Sequence, residues 1–403
     1  MGFTIKNYPS NWNLKKMPEV VKWGSGGTPK ATQKEYYEGG TIPWLIIGDL
    51  NDGVITDSST KITELGLKNS SAKMIPAGTL LVAMYGSIGK LGITGIECCT
   101  NQAIAFAKEM HDVTLEFMYY YMKMMKSELI SKGKGGTQKN ISQTVLNSLL
   151  VPVPPLDEQQ RIVSRIEKLF SSLDNAEETL QKTKTQITVY RQAVLKEVFE
   201  RITVYVPLAD ITQKVFDGPF GSNLKTSDYT DHGIRVVRLE NIKAGWFDDS
   251  KKSYISNEKY ESIKAHTVIP ADLIMSTFVS ESIKICQLPS YIGYAVNKAD
   301  CVGIRLKPEI DPRFLLYYFS SKQAYYELIH QVHGATRPRV NSKQIKDIRV
   351  PFISARDQDI IISRIESRLS VCNSIERTID DALAQTEAMR QSILKEAFEG
   401  RLV

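Results

Sequence analysis

One stretch of this chain occurs twice, and that repeat constrains the fold more than any local propensity. Ile162-Val163-Ser164-Arg165-Ile166-Glu167 returns as Ile361-Ile362-Ser363-Arg364-Ile365-Glu366. Leu195-Lys196-Glu197 and Phe199-Glu200 return as Leu394-Lys395-Glu396 and Phe398-Glu399. The shift is a constant 199 residues, and about 16 of the 39 positions from 162 to 200 are identical without a gap. The likeness runs backwards more weakly. Gly135-Gly136-Thr137-Gln138 precedes Val151-Pro152 as Gly334-Ala335-Thr336-Arg337 precedes Val350-Pro351. Phe117 to Tyr120 parallels Phe314 to Tyr317, Ile75-Pro76-Ala77 parallels Ile269-Pro270-Ala271, and Ile42 to Gly53 parallels Ile234 to Gly245. The chain is read as two copies of one unit: globular 1–152, helical 153–202, globular 203–351 and helical 352–403. The helical parts are alike and the globular parts have diverged, so one scaffold presents two different surfaces.

The helical parts carry a heptad seam. Ile162, Ile166, Leu169, Leu173, Ala176, Leu180, Thr183, Ile187, Tyr190 and Val194 follow steps of four and three. The second copy gives Ile361, Ile365, Cys372, Ile375, Ile379, Ala382, Met389 and Ile393, with Leu369 one position off. Asp157 and Gln160 form a capping-box pattern, Pro154-Pro155 stops the preceding strand, and Gly400 suits a helix stop. A helix of about 42 residues runs about 63 Å. It delivers the chain to the second globular part, and the second helix can return only antiparallel to it. The expectation is two heads held apart by an antiparallel two-helix coiled coil. The competing expectation, each helix packed on its own head, is weakened by helix length.

The heads read as mixed, which makes the fold class α+β. Trp44 to Ile47, Leu80 to Ala83 and Ala103 to Phe106 read as strands, and Leu115 to Ser131 as a helix. In the second head Arg235 to Leu239 and Leu273 to Met275 read as strands, and Pro312 to His333 as a helix.

No run approaches 18 apolar residues, and the N-terminus shows no signal-peptide core, so no membrane partner is expected. Five cysteines (Cys98, Cys99, Cys286, Cys301, Cys372) without a C-x-x-C predict reduced thiols and a cytoplasmic location. Gly86-Ser87-Ile88-Gly89-Lys90-Leu91 lacks the spacing and hydroxyl of a P-loop. Dinucleotide, zinc-protease, amino-methyltransferase and nucleophile-elbow patterns are missing too. A nuclease with dispersed acids stays open, as does a coiled-coil adaptor whose heads bind proteins. The net charge of +6 permits nucleic-acid binding without demanding it.

What the heads offer is a set of glycine-rich basic loops. Lys132 to Asn140 supplies Lys134, Thr137, Gln138 and Lys139; its counterpart from His333 supplies Thr336, Arg337 and Arg339. Glycine lets backbone approach a phosphate chain, cations offset its charge, and Arg or Gln can pair bidentately with base edges. One such loop alone reads as solvated surface; two at the same place in a repeated unit favour DNA. Gly24 to Lys30, a polar and flexible-looking loop, adds Thr28 and Lys30, and the turn after a strand adds Tyr85, Ser87 and Lys90. Gly218 to Lys225 adds Ser222, Asn223 and Lys225, and a strand adds Arg235. Tyr119 to Tyr121, Tyr317, Tyr318, Tyr325 and Tyr326 sit at helical positions and read as core or rim.

Val151-Pro152-Val153-Pro154-Pro155-Leu156-Asp157-Glu158-Gln159-Gln160-Arg161-Ile162-Val163, with its heptad helix, resembles the central conserved region of type I restriction–modification specificity subunits. Ser392 to Val403 resembles the C-terminal conserved region of that family. Gly26-Gly27-Thr28-Pro29, Ile42-Pro43-Trp44 and Tyr85 to Gly89 resemble pieces of its target recognition domains. The second copy departs from the pattern: Ile353-Ser354-Ala355-Arg356-Asp357-Gln358-Asp359 replaces Pro-Leu-x-Glu-Gln, and Gly218-Pro219-Phe220-Gly221 replaces Gly-Gly-Thr-Pro. The resemblance implies a chain without chemistry or cofactor of its own. Each head reads half of an asymmetric bipartite site on double-stranded DNA, and the coiled coil fixes the spacer. Two methyltransferase subunits, using S-adenosylmethionine to methylate adenine N6, dock on the helices. Restriction subunits using ATP and Mg²⁺ join them for cleavage.

Overall fold

The computed structural model describes residues 8–135, 138–330 and 338–402. The chain forms two compact units, Met1–Leu180 with Asp381–Val403 and Gln181–Asp380. The helices therefore do not stand apart as domains of their own; each contributes one part to each unit.

In the first unit, a five-stranded sheet runs in the order Val21–Ser25, Ile104–Met110, Leu80–Ala83, Leu91–Thr94, Val54–Ile55, antiparallel except for the last pair. A smaller sheet orders Lys61–Ile62, Ile42–Leu45 and Cys99–Thr100, the last pair parallel. A ribbon of Asn13–Lys16 with Leu150–Val153 closes the head. The second unit repeats the plan. Thr212–Phe216, Cys301–Leu306, Leu273–Ser276 and Ile285–Gln287 form an antiparallel sheet. Ile234–Val237 pairs parallel with Ala295–Asn297 in a second sheet, and Tyr205–Pro207 pairs with Arg349–Pro351.

The central strands are apolar throughout because both their faces are covered. Leu80 and Val82 face the core that holds the helices, whereas Leu81 and Ala83 face a second core with Leu45 and Ile104. Leu273 and Met275 divide from Ile274 in the same way. The helices expected over 115–131 and 312–333 are each interrupted. The first breaks at Met125, giving Leu115–Met124 and Lys126–Ser131. The second breaks at Ser320-Ser321, giving Pro312–Phe319 and Lys322–Ile329, because the Ser321 side chain caps a new helix by accepting from the Ala324 N–H. The strands expected at Trp44 to Ile47 and Arg235 to Leu239 end early, at Leu45 and Val237, where 3₁₀ turns follow.

The long helices span Leu156–Phe199 and Ala355–Phe398, 44 residues each. In the first unit Ile162, Ile166 and Phe170 enter the head's core together with Leu394, Ala397 and Phe398. The Phe398 ring lies 5.0 Å from Phe117 and 5.5 Å from Tyr121. In the second unit Phe199 stands in the same place, 5.7 Å from Phe314 and 5.3 Å from Tyr318. Helix–head packing and helix–helix pairing thus both occur, over different stretches.

Ion pairs join the antiparallel helices within each unit. In the first, Arg390 bridges Glu177 at 3.2 Å and also bonds Asp174. In the second, Lys184 meets Asp380 at 2.7 Å, Arg191 meets Glu376 at 2.8 Å, and Glu197 meets Arg368 at 2.6 Å. The seam is narrower than the heptad pattern predicts. Leu173 and Leu180 are half-buried and Ile187 and Val194 buried on the first helix, a row spaced by sevens. Ile365, Cys372, Ile379 and Thr386 are buried on the second, with Ile393 half-buried. The alternate row is looser: Ile361 is half-buried, and the expected seam residues Ile375, Tyr190 and Met389 are 41%, 44% and 46% exposed. In a two-stranded coiled coil both rows insert into the partner; here one row packs and the other is largely exposed.

A buried glutamine pins each helix start. Gln159 donates to the carbonyls of Asp112 (2.7 Å) and Pro154 (3.0 Å) and accepts from Thr114 N–H at 2.9 Å. Gln358 donates to Glu309 (3.2 Å) and Ile353 (3.1 Å) and accepts from Asp311 N–H at 2.8 Å. Through the run in which the second copy departs most from the first, the residue that makes these bonds stays the same.

Candidate nucleic-acid interface

In the first unit, three loops meet at one end of the five-stranded sheet, where Ser25 opposes Ala105 and Ala83 opposes Ile104, and the segment between the helices Lys126–Ser131 and Gln143–Asn147 joins them. The Met84 N–H donates to Ala103 at 2.8 Å, Ile141 N–H to Met84 at 2.9 Å, and Gly86 N–H to Lys139 at 3.0 Å. These bonds draw 84–90, 101–103 and 138–141 together. A recess among them is lined by Asp52, Ser87, Lys90, Lys126, Gln138 and Lys139. Lys126 lies 3.5 Å from Asp52, whereas Lys90 and Lys139 have no ion-pair partner among the described residues. Tyr85 is exposed at the rim beside Asn140, and Asn140 exchanges two 2.9 Å backbone bonds with Lys134.

The Gly24–Lys30 loop is held, not flexible. Gly27 N–H donates to Thr100 at 2.9 Å, Trp44 Nε1 to the Gly27 carbonyl at 2.9 Å, and the Tyr37 hydroxyl to the Pro29 carbonyl at 2.6 Å. A Cβ on Gly26 would lie 1.9 Å from the Thr100 carbonyl oxygen, so only glycine lets these backbones approach. The loop buries Gly26, Gly27 and Pro29 and presents Thr28 and Lys30, with the Thr28 hydroxyl bonded to Gln102.

The second unit builds the same backbone cluster. Thr277 N–H donates to Asp300 at 2.9 Å, Val340 N–H to Thr277 at 2.9 Å, and Val279 N–H to Pro338 at 3.1 Å. Gly218 fills the role of Gly26, since a Cβ there would meet the Lys298 carbonyl at 2.1 Å. The recess is lined by Leu239, Phe278, Val279, Ser280, Lys284 and Pro338. Lys284 matches Lys90: Ser276 N–H donates to its carbonyl as Ala83 N–H donates to that of Lys90, both at 2.8 Å. Arg339 ion-pairs with Asp300 and stacks 4.5 Å over the Phe278 ring. Asn223 and Lys225 are exposed on the neighbouring loop, and Ser222 belongs to the 3₁₀ turn Gly221–Asn223.

Arg235 does not belong to the interface. It is buried, with Nη2 2.8 Å from both Asp249 and the Lys251 carbonyl and the guanidinium 5.6 Å from the Tyr254 ring centre. A charge in a short strand resembles a surface residue, but here a loop 14 positions later folds back to neutralise it. Thr137, Thr336 and Arg337 lie outside the described residues. Sequence reasoning missed Ser280, Lys284, Phe278 and the exposed Phe220. One extra residue in the second hairpin hid the Lys90–Lys284 match. Phe220 follows Gly218-Pro219 as Thr28 follows Gly26-Gly27, which was readable.

Burial pushes the Cys98 thiol up to about 12, Cys99 to about 11 and Cys286 to about 12, and raises Cys301 as well, so these thiols stay protonated at neutral pH. Among the described residues no group of three or more His, Cys, Asp or Glu could hold a metal ion. No helix there is long and apolar enough to cross a membrane.

A protein with one loop cluster built twice on paired helices matches a known class. The family model for the type I restriction modification DNA specificity domain fits residues 9–188 and again 222–385. The chain belongs to this family. It is 29% identical to the MjaIX type I restriction enzyme specificity subunit of Methanocaldococcus jannaschii, over 89% of this chain and 86% of that one. It is 20% identical to the EcoKI specificity subunit of Escherichia coli strain K12, over 98% and 90%. A chain solved in work on complex assembly and conformational transition of a type I restriction–modification system has TM-score 0.72 at 17% identity, covering 98% of this chain and 99% of that one. The HsdS subunit from Thermoanaerobacter tengcongensis has TM-score 0.50 at 17% identity, with 98% of both chains covered. These two show a shared fold.

Proposed function

We propose that the chain is the DNA-sequence-specificity subunit of a type I restriction–modification complex, each unit reading one half of an asymmetric bipartite site. One observation carries this: the same backbone cluster is built once in each unit, at the equivalent end of its main sheet, with different side chains. Equal scaffolds give two readers, and unequal side chains make the halves differ. The length of the long helices sets the spacer, and their exposed apolar residues, including Val189, Val371 and Met389, dock two methyltransferase subunits. S-adenosylmethionine, ATP and Mg²⁺ act on the methyltransferase and restriction partners, and the chain itself does no chemistry.

The test is a long-read map of N6-methyladenine in the native genome, with and without this gene. Loss of one bipartite motif on deletion supports the reading; a map unchanged in cells that express the methyltransferase partner contradicts it. The spacer is tested separately. Removing seven residues from each long helix keeps the sevenfold seam and shortens each by about 10.5 Å, about three base-pair steps. The spacer shortens with both halves intact; an unchanged spacer excludes the helices as its measure.

A further inference from the structure

We propose that Arg339 reads a guanine in the half-site taken by the second unit, with Asp300 and Phe278 as positioning residues. This rests on the proposed function and adds a base and a residue to it. Arg339 is 53% exposed at the side chain, at the rim of the loop cluster. Its guanidinium is held in two ways: Nη2 is ion-paired to Asp300, and the central guanidinium carbon lies 4.5 Å from the Phe278 ring centre. Among the described residues Nη1 and Nε make no hydrogen bond, and Nη2 gives one of its two hydrogens to Asp300, which leaves one Nη2-containing edge of the fork without a partner there.

The supports are themselves held. Thr277 N–H donates to the Asp300 carbonyl at 2.9 Å, and Asp300 adopts φ +71°, a left-handed conformation uncommon for a non-glycine residue. Phe278 and Arg339 form a backbone bridge. An arginine that only neutralises phosphate gains little from a fixed plane. The Asp300 charge also weakens its pull on the backbone. A planar, pre-oriented fork matches the paired O6 and N7 acceptors of guanine in the major groove. The equivalent bridge in the first unit joins Tyr85 to Asn140, so the two clusters present different groups at this register.

The experiment uses the full chain assembled with its methyltransferase partner and a duplex carrying the native motif. Each guanine of both halves is replaced in turn by 7-deazaguanine, which lacks the N7 acceptor but still base-pairs. At one guanine the unmodified complex loses about tenfold in affinity. Arg339→Ala reduces that penalty below about twofold, and Asp300→Ala reduces it partly. Penalties at other guanines and salt-dependent binding to unrelated DNA stay the same. Arg339→Lys keeps the charge without the fork and erases the same penalty, which serves if the alanine variant does not fold. Identical penalties in the unmodified, Arg339→Ala and Arg339→Lys complexes overturn the assignment. A complex that prefers no sequence at all overturns the proposed function instead.

Discussion

The two loop clusters share a backbone and little else. Met84, Gly86 and Ile141 bond as Thr277, Val279 and Val340 do, and a glycine allows the same close approach at 26 and 218. At matching places the first unit offers Thr28, Tyr85, Lys139 and Asn140, the second Phe220, Phe278, Pro338 and Arg339. Backbone bonds fix where a side chain will stand without fixing which one it is. Recognition can therefore change without refolding the head.

Deeper in the sheet the comparison inverts. In the first unit Gly24 opposes Phe106, and a Cβ on Gly24 would meet that ring at 2.4 Å. In the second, Phe216 opposes Gly303, with a Cβ on Gly303 meeting the ring at 2.5 Å. The aromatic has changed strands and its glycine has changed with it. What is preserved is one ring lying across one glycine.

The largest effect expected from breaking this symmetry comes from the helix-end phenylalanines. Phe398→Ala should cost the first unit about 3–5 kcal/mol and Phe199→Ala the second unit the same, each leaving a cavity between aromatic rings. Limited proteolysis should show opening of one unit only; opening of both by either variant would show that the units are not independent. Next comes the ring swap. Phe106→Gly alone should destabilise the first unit by about 3–4 kcal/mol, and adding Gly24→Phe should restore more than half. Denaturant midpoints that fail to recover in the double variant would reject the equivalence.

Gln159→Ala and Gln358→Ala should each cost about 2–3 kcal/mol, because two carbonyls and an N–H lose a buried partner. Unequal losses would show that one helix start has another support. The smallest effect is acid sensitivity in the second unit. A hydrogen bond from Arg368, with the charges of Arg368, Arg364 and Arg201, holds the Glu197 carboxyl below its usual range. Its folded value is depressed, so its contribution is present above the unfolded value of about 4.3 and fades as pH falls through the folded one. Glu197→Gln should flatten helix-pair stability against pH in that range; an unchanged acid limb would assign it to other carboxylates.

Much of this was legible. The repeat predicts two heads on two like helices, but its copies, 1–202 and 203–403, are not the compact units, which divide each helix between them; one row of the heptad, Ile166, Leu173, Leu180, Ile187 and Val194, marks the packed face of the first helix. The looseness of the second row was not legible, because periodicity says which residues share a face and not how closely a partner packs against each of them. Gln159 was hidden because a polar residue beside a seam gives no sign of burial; its partners, residues 112 to 114, come from far earlier in the chain. Arg235 was misread for the same reason. The Gly26–Pro29 loop looked flexible, since glycines that serve close packing and glycines that serve freedom are the same letter.

One chimera tests the central claim most directly. Residues 205–351 are replaced by a second copy of 13–153, which carries its own ribbon and meets Phe199 where the first copy meets Phe398. The methylation motif is then mapped by long-read sequencing. Two clusters reading independently on one scaffold predict a motif built from two copies of the first unit's half-site. A folded chimera that keeps the original asymmetric motif, or reads no sequence at all, would contradict it.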